Sequence, residues 1–180
     1  MNSSIPFPRL ITDRLVLRQL EMQDDGEIFF LRSDKTVNKF LASPIAKSIQ
    51  DARDFIEKIV KSTSNSESAY WAITIKGNNK LIGTICIWNI DREENKAEIG
   101  YVLHPAYSGK GFMNEAVTAV IQYGFRQMKL RFLDAVVHPE NKRSIILLER
   151  NGFTNAAVPG AELVFRLYNG IPNGRQESAC

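Results

Sequence analysis

The segment YSGKGFMNEA, residues 107–116, places two glycines and a lysine directly in front of a predicted helix. A glycine turn between a strand and a helix leaves backbone N–H groups free at the positive helix end, and such a place binds anions, phosphates above all. Glycine also lets the backbone approach a ligand without a Cβ in the way, and Lys110 adds a positive charge. The segment therefore predicts a phosphate cradle, although a tight strand-to-helix turn would use the same glycines.

Two well-known phosphate motifs do not fit this segment. A P-loop requires G-x-x-x-x-G-K-[ST], and no such run occurs in the chain. A dinucleotide fingerprint would need a small residue three positions after Gly111, where Asn114 stands. It would also open a regular alternation of strands and helices, which the sequence lacks. The cradle is therefore predicted to belong to another kind of fold.

The composition restricts the class of protein. The chain has 180 residues, 44% hydrophobic and 24% charged, which suits one compact domain. The net charge of +3 comes without a dense Lys/Arg block, so nucleic-acid binding is not predicted. No apolar run could span a bilayer and the first residues do not resemble a signal peptide, so we expect a soluble, cytoplasmic protein with no membrane partner. With two cysteines and two histidines, neither a disulfide nor a metal site is predicted.

The elements that must position the cradle follow from hydrophobic periodicity. Short turns between the middle strands favour antiparallel pairing, whereas the strand–helix–strand unit over residues 98–137 predicts a right-handed crossover between parallel neighbours. The predicted strands are residues 13–20, 69–76, 80–90, 97–103, 131–138 and 161–168, and the predicted helices are residues 24–41, 48–60, 112–129 and 141–152.

Helix ends are marked by residues of the expected types. Asp24 is a candidate acidic cap, Ser48 and Asp51 form a predicted capping pair, and Asn141 is a predicted N-cap. Gly152 is predicted to end the last helix.

Two segments together resemble a known family. AEIGYVLHPAYSGKGFMNEA, followed by NKRSIILLERNGF, resembles the acetyl-CoA-binding core of the GNAT N-acetyltransferase superfamily, and more narrowly its ribosomal-protein (RimJ/RimL) type. The opening LITDRLVLRQLEMQD is also similar to the start of that group. The resemblance covers residues 10–168 and implies a single acetyltransferase domain over 1–180, with a loose tail at 169–180. The implied fold is α/β (α+β), a mixed and mostly antiparallel sheet flanked by helices on both faces.

The resemblance assigns a cofactor site. The superfamily motif Q/R-x-x-G-x-G/A falls on residues 108–113, matching at Gly111 and departing at Ser108 and Met113. It implies that the amides of residues 109–114 hold the CoA pyrophosphate, while the strand at 97–103 splays from the strand at 131–138 and pairs with the pantetheine arm. The residues expected to bind acetyl-CoA are Tyr101, Val102, Leu103, Ser108, Gly109, Lys110, Gly111, Phe112, Met113, Asn114, Asn141 and Arg143.

Catalytic groups follow from the implied chemistry, the attack of an amine on a thioester. The amine must lose a proton, and Glu98 is the preferred base because it lies in an otherwise apolar strand on the face shared with Gly100 and Val102. It could also simply face solvent. Asp134 and Glu162, each in an apolar strand, are the other candidates.

The leaving sulfur needs a hydrogen-bond donor. Many family members supply a tyrosine in N-x-x-A-x-x-L-Y, but here that position is Leu148. The resemblance implies that Ser144 replaces it, although a serine in a first helical turn can also bond to its own backbone.

The resemblance implies acetyl transfer to a primary amine in a direct ternary complex, and Cys86, in a core strand, offers no exposed nucleophile. A protein N-terminal α-amine is the preferred acceptor. A polyamine, an amino acid or an aminoglycoside is the alternative acceptor for an enzyme, and an acyl-CoA-binding protein without turnover is the non-enzymatic alternative.

The acceptor pocket is expected from residues 24–60 and the turn at 91–96. Trp71, Trp88 and Tyr70 are predicted mainly as core, with Trp88 bordering either the acceptor site or a dimer contact. A homodimer is implied by the resemblance only.

Overall fold

The computed structural model describes residues 7–41, 44–160 and 162–170 and contains one sheet with four α-helices. The strands are Leu10–Ile11 (β1), Leu15–Gln19 (β2), Ala69–Ile75 (β3), Asn78–Asp91 (β4), Lys96–Leu103 (β5), Phe132–Val137 (β6), Thr154–Asn155 (β7) and Leu163–Tyr168 (β8). The α-helices are Asp25–Ser33 (α1), Ile49–Ser64 (α2), Phe112–Arg126 (α3) and Lys142–Arg150 (α4), and short 3₁₀ turns occur at Met22–Asp24, Val37–Phe40 and Pro105–Tyr107.

The sheet order is β1-β2-β3-β4-β5-β6-β8-β7. Every neighbouring pair is antiparallel except β5 and β6, which are parallel and are joined through α3. The predicted mixed, mostly antiparallel sheet is therefore confirmed. The two-residue strands β1 and β7 were not predicted, because such short segments carry no measurable periodicity.

Helices cover both faces of the sheet, as predicted. One face packs against α3 and α4 through the larger core cluster, which includes Trp71, Val117 and Leu148. The other face packs against α1 and α2 through a smaller cluster that includes Ile28 and Ile56. Side chains alternate along β5, so Ala97 and Ile99 lie in the larger core while Glu98, Gly100 and Val102 face the α1–α2 side.

Three of the four predicted helix-end signals are confirmed. Ser48 and Asp51 form a reciprocal capping box at α2, Asn141 Oδ1 accepts the Ser144 N–H at 3.3 Å, and Gly152 has a φ of +84°. Asp24 occupies the N-cap position of α1 as predicted, but its side chain makes no capping hydrogen bond to that helix. It is buried and accepts two hydrogen bonds from Arg18, at 2.7 and 2.8 Å, since a buried carboxylate is stabilised most by a paired guanidinium.

Two predicted helices are shorter in the structure. The helix predicted at 24–41 ends at Ser33, and residues 37–40 form a separate 3₁₀ turn. The helix predicted to reach residue 129 ends at Arg126, before Lys129 takes a left-handed φ of +59°. At the start of the predicted tail, the Asn169 side chain donates to the Leu130 carbonyl at 2.9 Å. Residues 171–180, including Cys180, lie outside the described residues.

The pairing between β5 and β6 stops early. The two strands share three residue pairs, Lys96 with Phe132, Ala97 with Leu133 and Glu98 with Asp134. Beyond the last pair, residues 99–103 of β5 and 135–137 of β6 have no ladder between them, although each strand stays paired on its other side. The sheet therefore contains a gap that begins at Glu98 and ends at the cradle segment. Within the described residues, no helix has both the length and the apolar character needed to cross a bilayer.

Candidate active site

Backbone donors of β5 line this gap. The His104 N–H donates to the Ile82 carbonyl of β4 at 2.9 Å, and the β4–β5 register is regular from Gly83 to Trp88. Because successive N–H groups of a strand point to opposite sides, those of Tyr101 and Leu103 point away from β4 and towards β6. Since the β6 ladder has already ended, they face the gap. The structure thus places Tyr101, Val102 and Leu103 along one wall of an open strand site.

The cradle closes one end of the gap. Gly109 and Gly111 have left-handed φ values of +77° and +79°, and Gly111 directly precedes α3. Within the described part of the chain, the backbone N–H groups of residues 109–114 have no hydrogen-bond acceptor. The exposed turn therefore presents a run of free donors at a helix N-terminus, which suits the two phosphates of a pyrophosphate.

The two departures from the family motif have structural explanations. Ser108 donates its backbone N–H to the Pro105 carbonyl at 3.0 Å and thus closes the preceding 3₁₀ turn. The Met113 side chain is 8% exposed and packs in the larger core, so a long side chain at this position does not obstruct the cradle.

Sequence reasoning missed Arg14, which braces the cradle from the other end of the chain. Its Nη1 donates to the Lys110 carbonyl at 2.9 Å, its Nε donates to Glu115 at 2.7 Å, and its guanidinium lies over the Phe112 ring at 4.6 Å. A Cβ added to Gly111 would lie 3.3 Å from Arg14 Nη2. The sequence offered no signal for this role, because Arg14 is about a hundred residues away and reads as an ordinary strand arginine.

The Glu115 carboxylate accepts hydrogen bonds from Thr12 and from Arg14. Burial raises the pKa of this carboxyl, but hydrogen bonds from the Thr12 hydroxyl and from Arg14 outweigh that effect, so its pKa is lowered overall. A carboxylate in the first turn of α3 is favourable for the helix yet would repel a bound phosphate. The Arg14 charge offsets that repulsion.

Arg14→Gln is expected to weaken acetyl-CoA binding roughly tenfold, because the loop loses a charged hydrogen bond and the cradle loses a positive charge. Titration calorimetry should show no change for S-acetyl-pantetheine, which has no phosphate. Arg126→Gln is the matched control, since Arg126 is exposed at the opposite end of the same helix. An equal loss of affinity for both ligands would contradict the phosphate role.

On the α1–α2 side, the gap opens into a cavity of about 720 Å³. Apolar side chains from α1, α2 and the sheet form much of its wall, and Arg32, Lys58, Glu67, Glu98 and Glu162 contribute charges. Residues of the 24–60 segment line it. The predicted 91–96 turn does not, because it lies beyond the Trp88–Glu98 pair at the far end of the β4–β5 hairpin.

Glu98 lies where the gap meets this cavity. The register of β4 against β5 shifts between Trp88 and Asp91, and Asn89 takes a φ of +49° there. From this bulge, Asn89 Nδ2 donates to Glu98 Oε1 at 2.6 Å. The contact orients the half-buried carboxylate and leaves its second oxygen without a partner among the described residues.

The three candidate carboxylates differ in their hydrogen-bond partners and in their exposure. Asp134 is paired with Glu98 in register, but both its oxygens accept from Arg166, at 2.7 and 2.8 Å. The same ion pair raises the pKa of Arg166. Asp134 is therefore committed to a structural contact. Glu162 is exposed and lines the same cavity as Glu98, so it remains a second candidate.

The other predicted site residues lie at the start of α4, on the opposite sheet face. The Ser144 hydroxyl is 2.7 Å from the Tyr101 hydroxyl across the gap, while Asn141 caps the helix through the Ser144 amide. Arg143 is exposed in the same turn. Burial raises the pKa of Tyr101 to about 12, with the Ser144 hydrogen bond acting in the opposite direction. The family resemblance assigns Tyr101 to the cofactor site through its strand, and no signal in the sequence points to the contact of its hydroxyl with Ser144.

The aromatic side chains and the cysteine of the middle strands differ in burial. Trp71 is fully buried core, whereas Trp88 is 50% exposed and lines the cavity together with Tyr70. Burial raises the pKa of the Cys86 thiol to about 12, so it is not ionised at neutral pH. Among the described residues, no group of three or more His, Cys, Asp or Glu side chains is placed to hold a metal ion.

The family described as acetyltransferase (GNAT) domain matches residues 14–154. N-acetyltransferase p20 of Bacillus licheniformis is 37% identical over 144 residues, covering 80% of this chain and 81% of that protein. The chain belongs to the GNAT acetyltransferase family and is an N-acetyltransferase.

Two relatives have ribosomal proteins in their names. The [ribosomal protein uS5]-alanine N-acetyltransferase of Escherichia coli is 28% identical over 159 residues, covering 84% of this chain and 80% of that protein. A solved structure of a putative ribosomal-protein-serine acetyltransferase from Vibrio cholerae superposes with a TM-score of 0.77 at 26% identity, covering 91% of this chain and 98% of that one.

Proposed function

We propose that this N-acetyltransferase moves the acetyl group of acetyl-CoA to the N-terminal α-amine of a protein, by direct transfer in a ternary complex. The observation that carries the proposal is the gap between β5 and β6. It connects a cradle of free backbone donors at one end with a large cavity on the α1–α2 side, and a carboxylate lies where gap and cavity meet. This arrangement suits a cofactor and an acceptor that enter from different directions and meet in the gap.

The cofactor part of the proposal assigns residues to each portion of acetyl-CoA. The N–H groups of residues 109–114 hold the pyrophosphate, with Lys110 and Arg14 supplying positive charge. The free edge of β5 at residues 101–103 pairs with the amide groups of the pantetheine arm, as a neighbouring strand would. Asn141 and Arg143 contact the cofactor from the start of α4.

The chemical part assigns Glu98 as general base and Ser144 as hydrogen-bond donor to the leaving sulfur. Glu98 accepts the proton of the attacking amine from the cavity side, because its second oxygen has no partner among the described residues. The Tyr101 N–H faces the gap and would stabilise the negative charge that develops on the carbonyl oxygen. Cys86 lines the cavity, but burial raises the pKa of its thiol to about 12, which disfavours an acyl-enzyme on this residue.

The choice of acceptor rests on the cavity and on the relatives. About 720 Å³ is within the range of ligand pockets and accommodates the first residues of an extended peptide. The walls combine apolar surface with charges of both signs, which suits a peptide better than a uniformly charged small molecule. The two relatives named for ribosomal proteins support the same class of acceptor.

One observation favours a second candidate, a small cationic amine such as a polyamine. Three carboxylates, Glu67, Glu98 and Glu162, line the cavity and would hold additional ammonium groups. Arg32 and Lys58 on the same walls oppose such a ligand. We therefore rank the protein α-amine first.

The proposal is tested by measuring thiol release from acetyl-CoA with a panel of acceptors. The panel pairs a peptide bearing a free α-amine with the same peptide blocked at its N-terminus but carrying a lysine, and adds spermidine and a single amino acid. Turnover with the free α-amine alone, and mass-spectrometric detection of one acetyl group on it, is the expected result. Turnover only with spermidine would favour the second candidate, and binding of acetyl-CoA without turnover would favour a binding protein.

A further inference from the structure

The hydroxyl groups of Tyr101 and Ser144 form a hydrogen bond across the sheet gap, 2.7 Å long. Tyr101 stands on β5 beyond the last β5–β6 pair, and Ser144 stands in the first turn of α4. In the described residues, this is the only side-chain hydrogen bond between β5 and α4. Two hydroxyls thus meet beside the place where the thioester is proposed to lie.

The Ser144 hydroxyl makes no hydrogen bond to its own helix among the described residues. A serine in the first turn can bond a nearby backbone group, but here Asn141 Oδ1 already accepts the Ser144 N–H, and Ser144 Oγ bonds only to Tyr101 within the described residues. The side chain is held by a tertiary contact, and its direction is set by the phenol.

A count of hydrogens shows that one donor remains free. Each hydroxyl carries one hydrogen and accepts through its oxygen. The hydrogen bond between them uses one of the two hydrogens, and neither oxygen has a further partner among the described residues. Whichever hydroxyl donates, the pair retains one O–H that can point to a third atom.

Acidity limits what this pair can do. Burial raises the pKa of Tyr101 to about 12, far above the value of roughly 8.5 for an ordinary thiol. The phenol therefore stays protonated throughout the working range of pH. Full proton transfer from the phenol to a leaving thiolate is unfavourable. A hydrogen bond to the charged sulfur is the favourable alternative, since hydrogen bonds to ionised acceptors are the stronger ones.

We propose that Tyr101 is a positioning residue for acetyl transfer, whose phenol donates to Ser144 Oγ and so directs the Ser144 O–H at the departing sulfur. In this step the amine nitrogen adds to the thioester carbon and its proton goes to Glu98, and the C–S bond then breaks as the carbonyl re-forms, so that the sulfur leaves with the bonding electron pair. This inference rests on the proposed function and adds a residue to it.

In this chain the phenol near the gap comes from β5. The α4 position at which many relatives carry a tyrosine is Leu148, and its side chain is fully buried in the larger core. Because that residue is a leucine, α4 has no phenol there. Tyr101 of β5 brings a phenol to the Ser144 hydroxyl instead.

The test is a double-mutant cycle with Tyr101→Phe, Ser144→Ala and the double variant, assayed with the best acceptor of the panel. If the two hydroxyls act as a unit, each single change lowers kcat roughly tenfold and the double variant is no slower than the slower single variant. The Kd for acetyl-CoA should stay within about twofold, since no phosphate or pantetheine contact is removed. Ser144→Thr, which keeps the hydroxyl, should retain most of the activity.

Tyr123→Phe is the matched control, because it removes a phenol oxygen from a partly buried tyrosine that packs against Trp71, away from the gap. An unchanged kcat in Tyr101→Phe, or losses that multiply in the double variant, would overturn the inference while leaving the proposed function intact. Absence of thiol release by the wild-type protein with every acceptor would overturn both.

Discussion

Gly111→Val is expected to lower the affinity for acetyl-CoA by roughly a hundredfold or more, because valine does not fit the backbone conformation of the phosphate cradle. Gly111 has a φ of +79°, a region that β-branched residues rarely adopt. Its added Cβ would also lie 3.3 Å from Arg14 Nη2, so the Arg14 side chain would have to move away from the turn that carries the free N–H groups. Titration calorimetry with acetyl-CoA measures the effect directly.

Gly77 provides a matched control for backbone strain. It has nearly the same φ, +80°, in the β3–β4 turn, and a Cβ there would have nothing within 4 Å. Gly77→Val should therefore lower the melting temperature by a comparable amount and leave acetyl-CoA affinity unchanged. Wild-type affinity in Gly111→Val would mean that the glycine segment is only a turn, and the cofactor site would have to lie elsewhere.

Glu98→Gln is expected to reduce kcat about a hundredfold at neutral pH, within the usual contribution of a general base, with little change in acetyl-CoA affinity. The amide keeps the shape of the side chain and cannot accept the amine proton. An α-amine has a pKa of roughly 8, so it becomes neutral by itself as the pH rises. The deficit of the variant should therefore shrink between about pH 7 and 9, as kcat measured at several pH values would show.

Two further variants make this assignment specific. Glu67→Gln removes a charge from the same cavity without touching the gap, and its kcat should equal that of the wild type. Glu162→Gln tests the second candidate base. A large loss in Glu162→Gln together with normal turnover in Glu98→Gln would transfer the role of base to Glu162.

The sequence predicted those features of the fold that depend on local patterns. The helix at residues 48–60 was readable because its capping box and its apolar face agree, and the structure confirms both. The parallel crossover was readable because a single helix separates two apolar runs. Helix lengths were less accurate, since the end of α3 depends on the left-handed conformation of Lys129 and not on hydrophobic spacing.

The conformation of the glycine segment was predictable because glycine identity reports directly on backbone conformation, and Gly109 and Gly111 both have a positive φ. The contacts of Arg14 and of the Tyr101 hydroxyl were not predictable, because each joins residues far apart in sequence. The ion pair of Asp24 was missed for the same reason, since its partner Arg18 lies on a different element. The homodimer implied by the family resemblance stays a prediction.

The short β5–β6 ladder has a consequence for how the molecule moves. Among the residues that the structure describes, three residue pairs are the only strand contacts between a half-sheet of five strands and a half-sheet of three, so the two halves meet at a seam. Along the rest of that seam, the backbone hydrogen bonds that normally bind neighbouring strands are replaced by side-chain packing under α3 and α4. Cooperative opening is expected to begin at such a place, where main-chain bonding is sparsest. A bound pantetheine arm would act there as a removable strand, so that each catalytic cycle would complete the sheet on cofactor entry and interrupt it again on release.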